Sequence, residues 1–283
     1  MLTTKQKITI AIILQSVVMF CRRLAGKGPF IQVKRYRIQW ALDLREGIDF
    51  AIWLTGAFEP LTIREYRKLI RPGNIVLDIG ANIGAHTLHL AQAVGPLGMV
   101  HAFEPTDAAF AKLKNNLDLN PELKTRVHCH QLMLLDHCEE APHAPIYASW
   151  PLTNAPDLHP LHHARLMTAD HAQTSTLDLF LDTSNIQHVD FVKIDIDGFE
   201  SRMLRGASRM LQLWRPLMII ELAPHQLDEF GTSIEELVQL LADAHYELQD
   251  VSSGVSLALD GSILRKVIKW GGSRNAIARP KTV

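Results

Sequence analysis

The sequence predicts an α/β domain whose mostly parallel sheet is covered by helices on both faces, and three observations carry that expectation. Ile75 to Gly84 reads I-V-L-D-I-G-A-N-I-G: an apolar run, an acid and a turn of small residues, followed by a helical pattern through Leu88, Leu90, Ala91 and Val94. Strand, tight turn and helix in that order aim backbone N–H groups at a ligand. A second apolar run, Met99 to Phe103, ends in Glu104, about 20 positions further on, where nucleotide-binding α/β units hold ribose hydroxyls. Beyond these, apolar runs and helical patterns keep alternating, which implies a parallel sheet with its ligand above the strand C-termini. The ligand expected is an adenosine-containing cofactor.

Taken in order, candidate strands at Phe30 to Tyr36 and Ile38 to Leu44 precede a helix at Leu61 to Ile70, which Arg71-Pro72-Gly73 ends. Strands are then expected at Ile75–Ile79, Met99–Phe103, Val127–Leu132, Val189–Ile194, Leu217–Glu221 and Tyr246–Val251. Helices are expected at Ala85–Val94, Asp107–Leu119, Ser201–Leu213 and Ser233–Ala244. Asn120-Pro121 closes the second of these, and Arg215-Pro216 opens the fifth strand. Val255–Leu259 is read as an antiparallel edge strand, and residues 263–283 as a basic tail poorly ordered towards its end. Residues 133–187 are too long for an ordinary crossover and read as an inserted substrate lid. The organisation read is therefore 1–28 (apolar and basic helix), 29–73 (lead-in), 74–262 (the α/β domain) and 263–283 (tail).

Composition narrows the function. The chain has 283 residues, of which 47% are hydrophobic, enough for a full core. Its net charge of -1 advertises no nucleic-acid partner. Cys21, Cys129 and Cys138 show no paired spacing, as in a reducing, cytoplasmic compartment.

The glycines read G-A-N-I-G, which does not match the pyrophosphate cradle G-x-G-x-x-G. Asp78 precedes them, and an acid there suits a ligand with an ammonium group, such as the methionine end of S-adenosylmethionine. Further on come F-V-K-I-D-I-D-G-F-E (Phe191 to Glu200), M-L-R-G-A (Met203 to Ala207) and P-L-M-I-I-E-L (Pro216 to Leu222). With D-I-G-A-N-I-G, A-F-E-P and the T-S-T-L-D run at Thr174 to Asp178, the chain from Ile75 to Val251 resembles the FkbM family of S-adenosylmethionine-dependent methyltransferases. The lead-in from Leu42 to Pro60 is also similar to that of some members. The resemblance implies a Rossmann-like class I sheet of seven strands, the last antiparallel, and O-methylation of a hydroxyl on a sugar, glycan or secondary metabolite.

Asp78, Gly80, Asn82 and Gly84 are assigned to the donor's amino-acid end and ribose, and Glu104 to the ribose diol, a charge-assisted contact. Asp136, after the third strand, is assigned to the adenine amino group. Methyl transfer needs an oriented nucleophile, and a hydroxyl also has a proton to lose, so a base belongs nearby. Asp195, Asp197 and Glu200 crowd the end of the fourth strand, and alternation puts Lys193, Asp195 and Asp197 on one face. For Glu200 a helix-dipole role competes. Glu221 and His225 are the next catalytic candidates.

Other readings stay open. Asp195 with Glu221 could hold Mg²⁺ as in catechol-type methyltransferases, although the Asp-Asn pair usual on the fifth strand is lacking, and no metal is assigned. The histidines from His128 to His171, with Cys129 and Cys138, lack zinc-ligand spacing; His159, His162 and His163 read as lid residues. An NAD-type oxidoreductase conflicts with G-A-N-I-G, and a non-catalytic donor-binding scaffold conflicts with the intact acids. Ile8 to Phe20 is a 13-residue run, apolar except for Thr9, Gln15 and Ser16, flanked by Lys5, Lys7, Arg22, Arg23 and Lys27. It falls short of the roughly 20 residues that span a bilayer. A cleaved secretory signal, a helix on the inner face of a membrane and a helix packed on its own domain or a partner are the alternatives.

Overall fold

The structure, a computed structural model, describes residues 4–138, 146–148, 151, 152, 158 and 164–281. Helix α1 (Thr4–Leu24) leads into an antiparallel hairpin of β1 (Phe30–Arg35) and β2 (Ile38–Asp43), then α2 (Gly47–Thr55) and α3 (Pro60–Leu69). The domain proper begins with β3 (Ile75–Ile79), α4 (Thr87–Val94), β4 (Met99–Phe103), α5 (Asp107–Asp118), α6 (Pro121–Lys124) and β5 (Val127–His130). Four short strands follow: β6 (Leu132–Leu134), β7 (Ile146–Ala148), β8 (Arg165–Met167) and β9 (Gln173–Ser175). The second half runs α7 (Leu177–Thr183), β10 (Phe191–Ile194), α8 (Glu200–Arg205), α9 (Ser208–Leu213), β11 (Leu217–Leu222), α10 (Pro224–Glu229) and α11 (Ile234–Asp243). It closes with β12 (Tyr246–Asp250), β13 (Ser256–Leu257), α12 (Gly261–Val267) and β14 (Arg274–Pro280).

The main sheet is ordered β13-β12-β14-β11-β10-β3-β4-β5. Five neighbours from β5 to β11 are parallel, and β14 runs antiparallel between β11 and β12. Strand order reverses between β3 and β10, which opens a crevice above their C-terminal ends. Both faces are buried. On β3, Leu77 and Ile79 enter a core with α7, α8, α9 and α11, while Val76 faces the opposite core with the hairpin and α3 to α5. Phe191 of β10 faces that second core, so Lys193, two residues on, lies on the same side. Parallel pairing sets Lys193 opposite Asp78. The sheet thereby carries a buried acid and a buried base into its centre.

Several expectations change. The sheet has eight strands instead of seven, and its antiparallel insertion is Arg274–Pro280, not Val255–Leu259, which supplies only the two-residue edge strand β13. The stretch read as a basic tail is helix α12 and strand β14. Its apolar residues Ala276, Ile277 and Ala278 are all buried, and their small number between basic flanks hid the strand. The expected helix Ser201–Leu213 is broken at Gly206-Ala207, because Gly206 packs on the Leu135 carbonyl, where a Cβ would lie 2.1 Å from the oxygen. The proposed lid 133–187 is shorter than read. From Thr176, which caps α7 through Leu179 N–H, the chain belongs to the core through Leu177, Phe180 and Leu181. His143, His159, His162 and His163 lie outside the described residues.

A chain ending before Arg274 is expected to lose cooperative folding. Removing β14 strips the pairing partners of both β11 and β12 in mid-sheet and unburies Ile277, worth about 1.5–3 kcal/mol by itself against a total stability of about 5–15 kcal/mol. A thermal melt of the truncated chain followed by circular dichroism checks this.

Candidate active site

Three loops meet above the switch point. After β3, Gly80 and Ala81 each donate an N–H to the carbonyl of Phe103, at 3.1 and 2.9 Å, tying the turn to the end of β4. Gly80 has φ +85°, and a Cβ there would lie 1.8 Å from the Asp195 carbonyl oxygen, so the two loops touch backbone to backbone. Asn82 also stands at positive φ, and its N–H donates to Glu104 Oε2 at 2.8 Å. Glu104 Oε1 accepts from Thr106 N–H and Oγ1. Burial raises the Glu104 carboxyl above its ordinary value even so.

Gly80, Asn82, Glu104, Asp195 and Asp197 line a narrow cleft whose other walls are apolar, including Leu132 to Leu134, Phe199 and Phe230. The cavity measures about 70 Å³, against roughly 300–1,000 Å³ for ligand pockets. The Phe199 and Phe230 rings, 4.5 Å apart, pack against each other in its wall. On the β3–β10 face of the sheet lies a second, polar group. Lys193 Nζ is 3.1 Å from Asp195 Oδ2 and 3.9 Å from Asp78 Oδ1; Thr87 donates to Asp78 Oδ2. Glu59 Oε2 lies 3.5 Å from His86 Nε2 and accepts from Asn275 Nδ2 at 2.8 Å. Asp78 Oδ1, Tyr66 Oη and both ring nitrogens of His86 are buried without a hydrogen-bond partner.

The acids divide by environment. Burial would raise the Asp195 carboxyl, but Lys193 and His86 hold it below its usual range. Burial, then the charges of Asp195 and Asp197, push Glu221 well up; it hydrogen-bonds Ser273 and Asp195. Asp197 stands at φ +52° and accepts from Gln226 Nε2 at 2.7 Å. Burial, with the neighbouring Asp195 and Glu200, pushes it up to about 8. Asp195 and Asp197 both line the cleft.

Some assigned residues land elsewhere. Glu200 is fully buried and accepts the N–H groups of Ile196 and Gly198, so it fixes the loop that presents Asp195 and Asp197 and leaves the catalytic set. Asp136 is drawn away from the cleft by Arg202 and Arg205, which with His137 hold its carboxyl at about 2 against the effect of burial. Gln131 separates β5 from β6, and Leu132 to Leu134 wall the cleft where the acid was expected. Gly84 makes room for helix α5: a Cβ would meet Leu113 Cδ1 at 2.8 Å. His225 is buried in α10, its ring 6.2 Å from that of Trp270, and does not line the cleft. Among the described residues no group of three His, Cys, Asp or Glu side chains is arranged to hold a metal. Glu59, His86 and Asn275 were missed, yet one signal was present: A-F-E-P occurs twice, at Ala57 to Pro60 and at Ala102 to Pro105, and each glutamate ends in the site.

Residues 78–248 match the family model described as the methyltransferase FkbM domain. The chain belongs to the FkbM methyltransferase family. It is 28% identical over 149 residues to Methyltransferase 1 of Beauveria bassiana, covering 47% of this chain and 58% of that protein. Over 47 residues it is 49% identical to 31-O-demethyl-FK506 methyltransferase FkbM of Streptomyces tacrolimicus, 17% of this chain and 18% of that protein. The chain thus spans less than two thirds of both relatives. The crystal structure of Methyltransferase FkbM from Methylobacillus flagellatus is 17% identical, with a TM-score of 0.42 over 76% of this chain and 50% of that one. The cofactor of the FkbM family, and of this chain, is S-adenosylmethionine. The residues present fit it: Glu104 would take the ribose, with the Gly80–Asn82 backbone beside it and apolar walls for the base, whereas Asp78 is buried against Lys193 and Thr87 and does not itself line the cleft.

Proposed function

We propose that this chain transfers the methyl group of S-adenosylmethionine to a hydroxyl oxygen of a sugar-like acceptor. The observation that carries the reading is the pairing of two unlike carboxyls, Asp195 and Asp197, on the cleft beside the cofactor residues. The cofactor supplies the electrophilic methyl; the protein's part is to hold the acceptor hydroxyl in line and take its proton. Asp195, kept ionised and anchored by Lys193, serves to orient the hydroxyl. Asp197, with a pKa near 8, is matched to accept a proton close to the working pH. A positive charge entering the cleft draws that value down and frees the carboxylate. A second cavity of about 690 Å³ also reaches Asn82, and Gln32, Asp43, Glu46, Lys112 and Arg165 on its walls support a hydroxyl-rich acceptor.

The test is transfer of a radiolabelled methyl group from S-adenosylmethionine to fractionated glycans and small molecules. Label that resists alkali and is recovered on a hydroxyl oxygen when the product is analysed by mass spectrometry marks a methyl ether, as expected. Label released as methanol marks an ester, and no transfer at all to any fraction leaves a donor-binding scaffold; either result overturns the reading. Glu104→Ala is expected to weaken S-adenosylhomocysteine binding at least ~ten-fold, the scale of charge-assisted bonds to a buried carboxylate, as calorimetry would show.

A further inference from the structure

Helix α1 buries one side and leaves another apolar side open. Gln15 is buried, and Ala11, Val18 and Met19 pack against Leu44, Phe50 and Leu152. Away from that contact, Ile10, Ile13, Leu14, Val17, Phe20 and Leu24 are each at least 44% exposed. Their spacing of three and four residues makes one continuous stripe along the helix. Soluble surfaces scatter such side chains singly, so a run of six marks a contact. Charge says what kind. The first 42 residues contain eight Lys or Arg and no Asp or Glu, in a chain whose net charge is -1. Arg23 at the end of α1, Lys27 after it, and Lys34 and Arg37 of the hairpin are exposed. Arg22 donates to the carbonyls of Gly28 and Phe30, which docks the helix end to the start of β1.

We propose that α1 lies in the plane of an anionic lipid surface, with the Ile10–Leu24 stripe at the acyl boundary and the basic residues of the helix end and hairpin among the headgroups. The helix is not long and apolar enough to cross a membrane, so the contact is lateral. A second copy is the competing occupant, because Ile10, Ile13, Val17, Phe20 and Leu24 also follow a coiled-coil seam. Two copies, however, would bring two acid-free basic segments together, whereas an anionic surface complements them.

Flotation of the full chain with vesicles of phosphatidylcholine, alone or mixed with phosphatidylglycerol, tests this. The chain is expected to bind the anionic vesicles at least ~ten-fold more tightly, and to be released by high salt. Val17→Asp with Phe20→Asp, both on exposed positions, should abolish binding while leaving the thermal midpoint and S-adenosylhomocysteine affinity unchanged. Arg23→Gln with Lys27→Gln and Lys34→Gln should weaken it by ~ten-fold or more. Equal binding to both vesicle types, binding to neither, or binding that survives Val17→Asp with Phe20→Asp overturns the proposal. So does a dimer in sedimentation equilibrium that the same double change dissociates, since the stripe would then belong to a second copy.

Discussion

Gly80→Ala is expected to lower donor affinity at least ~100-fold, with loss of thermal stability, while Gly84→Ala has a much smaller effect on donor binding. At Gly80 the added methyl would sit 1.8 Å from the carbonyl oxygen of Asp195. Neither side can step back. Gly80 and Ala81 are bonded to the Phe103 carbonyl, and the Asp195 N–H is bonded to Ile79 O at 3.1 Å. The left-handed conformation adds about 1–2 kcal/mol of strain for an L-residue. Relief therefore has to come from moving the Asp195 loop or the Asn82 turn, and both line the cofactor cleft. At Gly84 the clash is with Leu113 Cδ1, the end of a flexible side chain on α5, so the strain falls on helix packing. Calorimetry with S-adenosylhomocysteine and a thermal melt on both variants separate the two. Wild-type donor affinity in Gly80→Ala would show that the β3 and β10 loops do not meet as described.

What the sequence made legible was whatever is encoded locally. The acid-ended strand Ile75–Ile79, its glycine turn and Glu104 at the end of the next strand are short-range patterns, and the structure places Gly80, Asn82 and Glu104 on one cleft. Asp195 and Asp197 were legible for the same reason, being consecutive same-face positions past a strand. What was not legible depends on tertiary pairing. Asn275 reaches Glu59 across 216 positions of sequence because β14 inserts beside β11 and sets Asn275 opposite Glu221. No local period announces that insertion. Asp136 was placed by its position after the third strand, but that strand ends at His130, and pairing with Arg202 and Arg205 of α8, again distant in sequence, holds its carboxylate away from the cleft. Glu200 looked catalytic by proximity alone. Its burial and its two backbone partners show a residue that builds the turn in which Asp197 is held at positive φ.

Asp197→Asn should lower turnover by ~10²-fold or more, within the range a positioned base contributes, and leave donor affinity within a few-fold. The substitution keeps the shape that meets Gln226 and removes the charge. The pH profile separates this role from an orienting one. With a pKa pushed up to about 8 by burial and by Asp195 and Glu200, Asp197 carries a proton at neutral pH in the free protein, so wild-type kcat/KM for the donor should rise through that value as the carboxylate forms, and kcat, which reports the complex with the positively charged donor bound, should rise at lower pH. Asp197→Asn should be slow and flat across the same window. Asp195→Asn should also be slow, yet it should keep a rising limb, shifted to lower pH because one of the charges raising the Asp197 pKa has gone. Stability gives an independent sign. In the unfolded chain an aspartate is already ionised well below neutrality, whereas folded Asp197 holds its proton until about pH 8, so this group destabilises the fold increasingly as pH rises across that interval. Asp197→Asn should therefore melt higher than wild type at alkaline pH and show the smallest difference in acid. Turnover that survives Asp197→Asn with the alkaline limb intact would move the proton acceptor to Asp195 and its partner Glu221.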